Sequence, residues 1–237
     1  YGDKLCQTTK YLKFLPVYGN KLHGAQFDTY KKFVSQKTHF SDFSNLKQIQ
    51  NVVFSDEGLY GNDGFNEVFN TVRRNKKTKF SYKDKTKPIF DEELIKNYSS
   101  KIFNIIDNIK NSDGIIFIFS EFIRTGLVPI ALALEHAGLK NINDNILDYP
   151  EYKKSDKDKW KTKRPPIHFD GREKDDVLKK GEKFQQATYC IISGEKEISP
   201  NIQKNIEISI SPNNKNGEKL KIILGSKTAA EGLDFKR

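Results

Sequence analysis

The chain has 237 residues and carries 41 lysines and arginines against 31 aspartates and glutamates, a formal net charge of +10. That length can bury a substantial core, and the positive balance fits either a polyanionic partner such as nucleic acid or simply a solvated surface. The only cysteines, Cys6 and Cys190, lie far apart, which excludes a disulfide framework or a zinc cluster built on paired cysteines and points to a reducing compartment.

The sequence opens at Tyr1 and contains no methionine, so it reads as a fragment of a longer chain. Residues 1–90 read as an irregular, mostly polar region with short helices and no core of its own. The clearest helix is Gln26–Val34, where Phe27, Tyr30 and Val34 recur at helical spacing. Asn51–Tyr60 reads as an extended piece, Gly61–Gly64 as a glycine turn and Phe65–Val72 as a short helix. Arg73–Lys87 (RRNKKTKFSYKDKTK) is strongly basic with Phe80 and Tyr82 interleaved. It reads first as a solvated linker, and alternatively as a strip that contacts a nucleic-acid backbone and stacks bases on its aromatics.

Asp91–Asn111 has the pattern of one helix, with Leu94, Tyr98, Ile102, Ile105, Ile106 and Ile109 on one face and Asp91, Glu92 and Glu93 at the dipole-favoured start. The period then changes. Ile115–Phe119 is continuously apolar, as expected of a strand buried on both faces. A second helix is expected over Thr125–Ala137, with Thr125 as N-cap, Pro129 in the first turn and Gly138 as the stop. The run from Ile115 to Leu139 is interrupted by Glu121, Arg124, Pro129 and His136 and does not read as a membrane span.

Residues 141–186 are polar and basic, contain the only tryptophan, Trp160, and read as an insertion. Three strand-length apolar runs follow, Ala187–Ile192, Ile206–Ile210 and Leu220–Leu224. The sum is an α/β pattern: a parallel sheet with helices on both faces, after an irregular, mostly helical region. The four histidines, His23, His39, His136 and His168, are scattered and read as structural, and no metal site is expected.

Two apparent motifs dissolve on inspection. Asp91-Glu92-Glu93-Leu94 lacks the buried strand that a magnesium-holding acidic tetrad requires, because Lys85-Thr86-Lys87-Pro88 precedes it. Gly225-Ser226-Lys227-Thr228 lacks the glycine spacing of a phosphate-binding loop. With neither Walker motif recognisable, no catalytic residue is visible.

Three segments in fixed order remain: Ile118–Phe122 (IFSEF), Tyr189–Glu195 (YCIISGE) and Gly225–Asp234 (GSKTAAEGLD). They resemble motif IV, the following strand and motif V of the second, carboxyl-terminal RecA-like domain of superfamily 2 helicases. A closer resemblance is to the helicases and early-transcription helicase subunits of poxviruses, asfarviruses and giant viruses. It is carried by GIIFIFSEFIRTGLVPIALALEHAGL, by ISISPNNKNGEKLKIILGSKTAAEGLDFKR and by QNVVFSDEGLYGNDGFNEVF, and covers roughly residues 20–237 with a gap at the insertion. The lysine-, asparagine- and isoleucine-rich composition suits an AT-rich viral genome.

The resemblance implies a RecA-like domain over 91–237 with its insertion at about 141–186, preceded at 1–90 by part of the region connecting the two RecA-like domains. It implies an ATP-dependent nucleic-acid helicase or translocase. The alternative is a helicase-like subunit of a viral early transcription initiation factor that binds promoter DNA. Ser120, Ser193, Gly194, Ser226, Lys227 and Thr228 would meet the nucleic-acid backbone, and Glu231, Gly232 and Asp234 would face the ATP cleft. Glu231 stands where an arginine is common in the family, which leaves that arginine's coupling role open. ATP and Mg2+ would be bound mainly by parts of the protein outside this chain, and motif VI with its arginine finger is not seen. The partners implied are DNA or RNA and the viral transcription machinery, with no membrane, and the place of action the virion and the host cytoplasm.

Overall fold

The computed structural model of the protein describes residues 19–36, 42–75, 77–151, 153 and 162–230. Three helices open it, α1 (Gly24–Ser35), α2 (Phe43–Asn51) and α3 (Gly61–Val68). An antiparallel hairpin follows, β1 (Phe69–Arg74) and β2 (Lys77–Tyr82). Next come α4 (Ile95–Tyr98), α5 (Ser100–Lys110), β3 (Ile116–Phe119), a π-helical turn at Ile123–Leu127 and α6 (Val128–His136). After β4 (Lys140–Asn141) and α7 (Lys174–Lys179) the chain forms β5 (Thr188–Ile192), α8 (Ile202–Ile210), β6 (Ile222–Gly225) and the one-turn α9 (Lys227–Ala230).

The fold class is the expected one. Strands β3, β6, β5 and β4 lie in that order in one parallel sheet. Alternation along β5 explains its two layers of cover. Tyr189 and Ile191 point into the larger core with α6, whereas Cys190 and Ile192 meet Ile206 of α8 and Ile223 on the other face. Helix α6 is buried all round, which is why its sequence is apolar without a polar face. Val52, Phe54, Phe65, Phe69, Phe80 and Tyr82, from the amino-terminal third, share the larger core with Leu132, Tyr189 and Leu224. Among the described residues no helix is long and apolar enough to cross a membrane.

Several expectations are corrected. Ile206–Ile210 is not a strand but the end of α8, whose inward face is Asn205, Ile206 and Ser209. The 91–111 helix is two helices: Ser99 takes an extended backbone and its Oγ accepts from Ile102 N at 3.0 Å, capping α5. Asp91 lies buried ahead of both rather than in an exposed first turn. The helix expected at Phe65–Val72 ends at Val68, and the chain turns extended at Phe69.

Arg73–Lys87 is no linker: most of it is hairpin, and Phe80 and Tyr82 are core residues that cannot stack on bases. The Arg74–Lys77 pairing leaves a two-residue loop opened by Asn75 at φ +49°, the left-handed conformation that tight hairpins favour and asparagine tolerates. Strand β3 is an edge strand, so Ile116 and Ile118 face the core while Phe117 and Phe119 remain 46% and 51% exposed. Thr125 does not cap a helix; it lies inside the π-turn, where its Oγ1 bonds Gln48 Oε1 at 3.2 Å. Gly138 does stop α6, at φ +93°. Cys6, His39 and Trp160 lie outside the described residues.

Candidate functional site at the carboxyl edge of the sheet

Register sets the geometry of the site. Phe119 of β3 and Ile192 of β5 both pair with Gly225 of β6, so the next residue on each of three adjacent strands is a serine: Ser120, Ser226 and Ser193. Backbone bonds hold the row, Ser120 N donating to Gly225 O and Ser226 N to Ile192 O, each at 3.0 Å. Open parallel sheets present ligands at this edge.

The three hydroxyls differ in setting. Ser120 is half-buried, and its Oγ accepts from Phe122 N at 3.2 Å and donates to Phe122 O at 3.1 Å, shaping the loop after β3. Gly126 is required beneath it, because a Cβ there would lie 2.1 Å from Ser120 Oγ. Gly126→Ala is expected to displace that hydroxyl and lower stability by about 1–3 kcal/mol, read as a lower urea midpoint. Ser193 is fully buried; its amide donates to Ser199 Oγ at 3.0 Å and its Oγ accepts from Glu195 N, leaving Gly194–Glu197 as the exposed part of that loop. Ser226 is buried and its carbonyl accepts from Ala229 N, while Lys227 is exposed beyond it. Thr228 is placed by its backbone within α9. Glu231, Gly232 and Asp234 lie outside the described residues.

Charge at this edge is balanced in pairs. Glu121, beside Ser120, meets Lys47 at 3.0 Å, and that contact holds its carboxyl below the usual range. At the far end of the row the hairpin tip reaches the loops after β4 and β5. Arg73 meets Glu197 at 3.0 Å, and Asp144 lies 3.3 Å from Lys77 and 3.1 Å from Lys79. Burial works against ionisation of Asp144, but the bonds from Lys79 and Lys77 outweigh it and lower its pKa. Sequence reasoning offered 73–87 as a basic strip only as its second reading and missed the hairpin that carries it. Its signal was the period-two pattern through Thr78, Phe80 and Tyr82, which the density of lysines masked.

No protein-family model matches the chain. Among curated proteins it is 28% identical over 204 residues to a protein of Invertebrate iridescent virus 3 named as a helicase, covering 83% of this chain and 16% of that protein. It is 32% identical over 176 residues to the termination factor NPH-I homolog of African swine fever virus, covering 70% and 22%. A third relative, named as an ATP-dependent RNA helicase of Acanthamoeba polyphaga mimivirus, is 23% identical over 222 residues, covering 76% and 18%. The chain's relatives are thus helicases and a termination factor of large DNA viruses, similar to it at modest identity over most of its length. It spans between 16% and 22% of the length of these relatives. In a chain similar to viral helicases, a parallel sheet whose carboxyl edge carries serines, the exposed loop Gly194–Glu197 and paired charges has the chemistry to meet phosphates.

Proposed function

We propose that the chain is the second RecA-like half of an ATP-dependent nucleic-acid helicase or translocase, residues 91–237, joined at 1–90 to part of the region connecting the two halves. The observation that carries this is the register-aligned row Ser120, Ser226 and Ser193 at the carboxyl edge of a parallel sheet, in a chain related to viral helicases. Ser120 and Ser226, with Gly194, Lys227 and the amide of Thr228, grip the phosphates of one strand without reading its sequence. Ser193 supports the loop from beneath. The family resemblance assigns Glu231, Gly232 and Asp234, which lie outside the described residues, to nucleotide binding.

ATP supplies the free energy for stepping, and its Mg2+ and phosphates are held mainly by residues outside this chain. Among the described residues no three carboxylate, histidine or cysteine side chains converge to hold a metal ion. Closing and opening of the two halves around ATP moves the serine row along the strand backbone. This chain alone does not turn over ATP. The African swine fever virus relative is named as a termination factor, which favours viral transcription machinery as a partner, in the virion and the host cytoplasm.

Ser226→Ala in the intact protein is expected to reduce nucleic-acid stimulation of ATPase by about tenfold, the worth of one hydrogen bond to a charged phosphate. Steady-state ATPase titrated with nucleic acid measures it. Unchanged stimulation would remove the serine row from the strand path.

A further inference from the structure

The β1–β2 hairpin occupies a position that neither its basic composition nor the serine row explains. Its inward residues Phe69, Phe80 and Tyr82 fix it in the core, and β2 is bonded to the segment after β4, Phe80 N donating to Ile146 O and Asp148 N to Phe80 O, both at 2.7 Å. The hairpin forms its own two-stranded sheet, bridged at Phe80 to Leu147, and its tip meets Asp144 and Glu197 on the loops that follow the carboxyl ends of β4 and β5. The tip sequence Arg73-Arg74-Asn75-Lys76-Lys77 is basic, and the Arg73 and Lys77 side chains are 63% and 60% exposed.

Two acids face these cations from the sheet loops. Glu197 Oε2 accepts from Thr78 Oγ1 at 2.8 Å and meets Arg73, while Asp144 bridges Lys77 and Lys79. Both acids are themselves 41% to 46% exposed, so these are weak, solvent-screened pairs that a polyanion can displace. We infer that the hairpin tip extends the nucleic-acid path beyond the serine row, and that Asp144 and Glu197 act as built-in counterions which strand phosphates replace on Arg73, Lys77 and Lys79. Each displacement exchanges one carboxylate contact for one phosphate contact, so the acids weaken binding and keep the tip from gripping polyanions indiscriminately. The inference rests on the nucleic-acid reading of this edge.

The test is oligothymidylate binding by the chain across a KCl series, followed by fluorescence anisotropy, with melting curves to establish that each variant folds. Arg73→Gln with Lys77→Gln is expected to weaken binding about tenfold at low salt and to flatten the log–log salt slope by about 1.4, at ~0.7 for each lost contact with a single strand. Asp144→Asn with Glu197→Gln is expected to do the opposite, binding severalfold tighter with a steeper slope. Parental affinity and slope in both double variants would overturn the inference, as would weaker binding by the acid-side variant. Ser226→Ala separates the two readings. Loss there with an unaffected hairpin overturns the hairpin path alone; loss at the hairpin with unaffected Ser226→Ala supports the path and counts against the serine row. Absence of binding by the parent chain overturns both.

Discussion

Arg164→Met is expected to lower the stability of the fold by about 3–5 kcal/mol, because it strands a buried carboxylate without its cation. Asp91 is 2% exposed and accepts two bonds from Arg164 Nη2 at 3.0 Å, while Glu93 N donates to its Oδ1 at 3.0 Å. His136 Nε2 stands 3.4 Å from Oδ2. Burial pushes the Asp91 pKa upward, but the histidine contact, the Glu93 amide and the Arg164 charge outweigh it and hold the carboxyl below its usual 3.8. A depressed carboxyl stabilises the fold above its unfolded pKa and ceases to as pH falls through the folded value, so this contribution is present at neutral pH and disappears in acid below 3.8. Urea unfolding of Arg164→Met, and of Arg164→Met with Asp91→Asn, measures the effect. The double variant should recover most of the loss, since neither charge is then left unpaired. A single variant within about 1 kcal/mol of the parent would mean that solvent reaches the carboxylate and screens it.

Glu135→Leu is the second large effect, with an expected loss of about 3–6 kcal/mol from three donors left without an acceptor. The Glu135 side chain is wholly buried, and its oxygens accept from Ile146 N and Leu147 N at 2.8 Å and from Tyr189 Oη at 2.5 Å. That clamp ties α6 to β5 and to the segment that receives the hairpin. Burial nevertheless raises the Glu135 pKa from 4.5 to about 7, against the Tyr189 and backbone bonds and the Lys163 charge. A carboxyl whose folded pKa is raised holds its proton where the unfolded chain has released it. Its contribution to stability therefore falls as pH rises from 4.5 to about 7 and is level above that. Glu135→Gln should flatten the pH dependence of the urea midpoint within this window. A parental slope in that variant would assign the titration to another group.

Where the sequence was legible, one physical constraint dominated. Residues 189–192 and 222–224 announce themselves as parallel strands because both faces are buried and each position is filled by an apolar or aromatic side chain or Cys190. Ile206–Ile210 misleads because I-E-I-S-I alternates like a strand, whereas two of the residues α8 buries are polar, Asn205 and Ser209. Their burial depends on local bonds, Asn205 Nδ2 to Pro200 O and Ser209 Oγ to Ile206 O, which no hydropathy pattern records. Phe117 and Phe119 extend an apolar run that looks doubly buried, and only the sheet order makes β3 an edge. At the site, strand-then-serine was readable at Ser120 and Ser226 separately. Their alignment was not, since register is a property of pairing between strands more than a hundred residues apart.

The sheet order also bears on how the chain reaches its fold. β3 and β5 have no contact ladder with each other; both pair with β6, so Ile116 waits for Ile222 and Tyr189 for the same residue. During synthesis the strands made first stand with an unfilled slot between them, and the keystone is residues 222–225. Closure is non-local and late, so folding is expected to be slow for a chain of this size and the open intermediate to need protection from pairing with other chains.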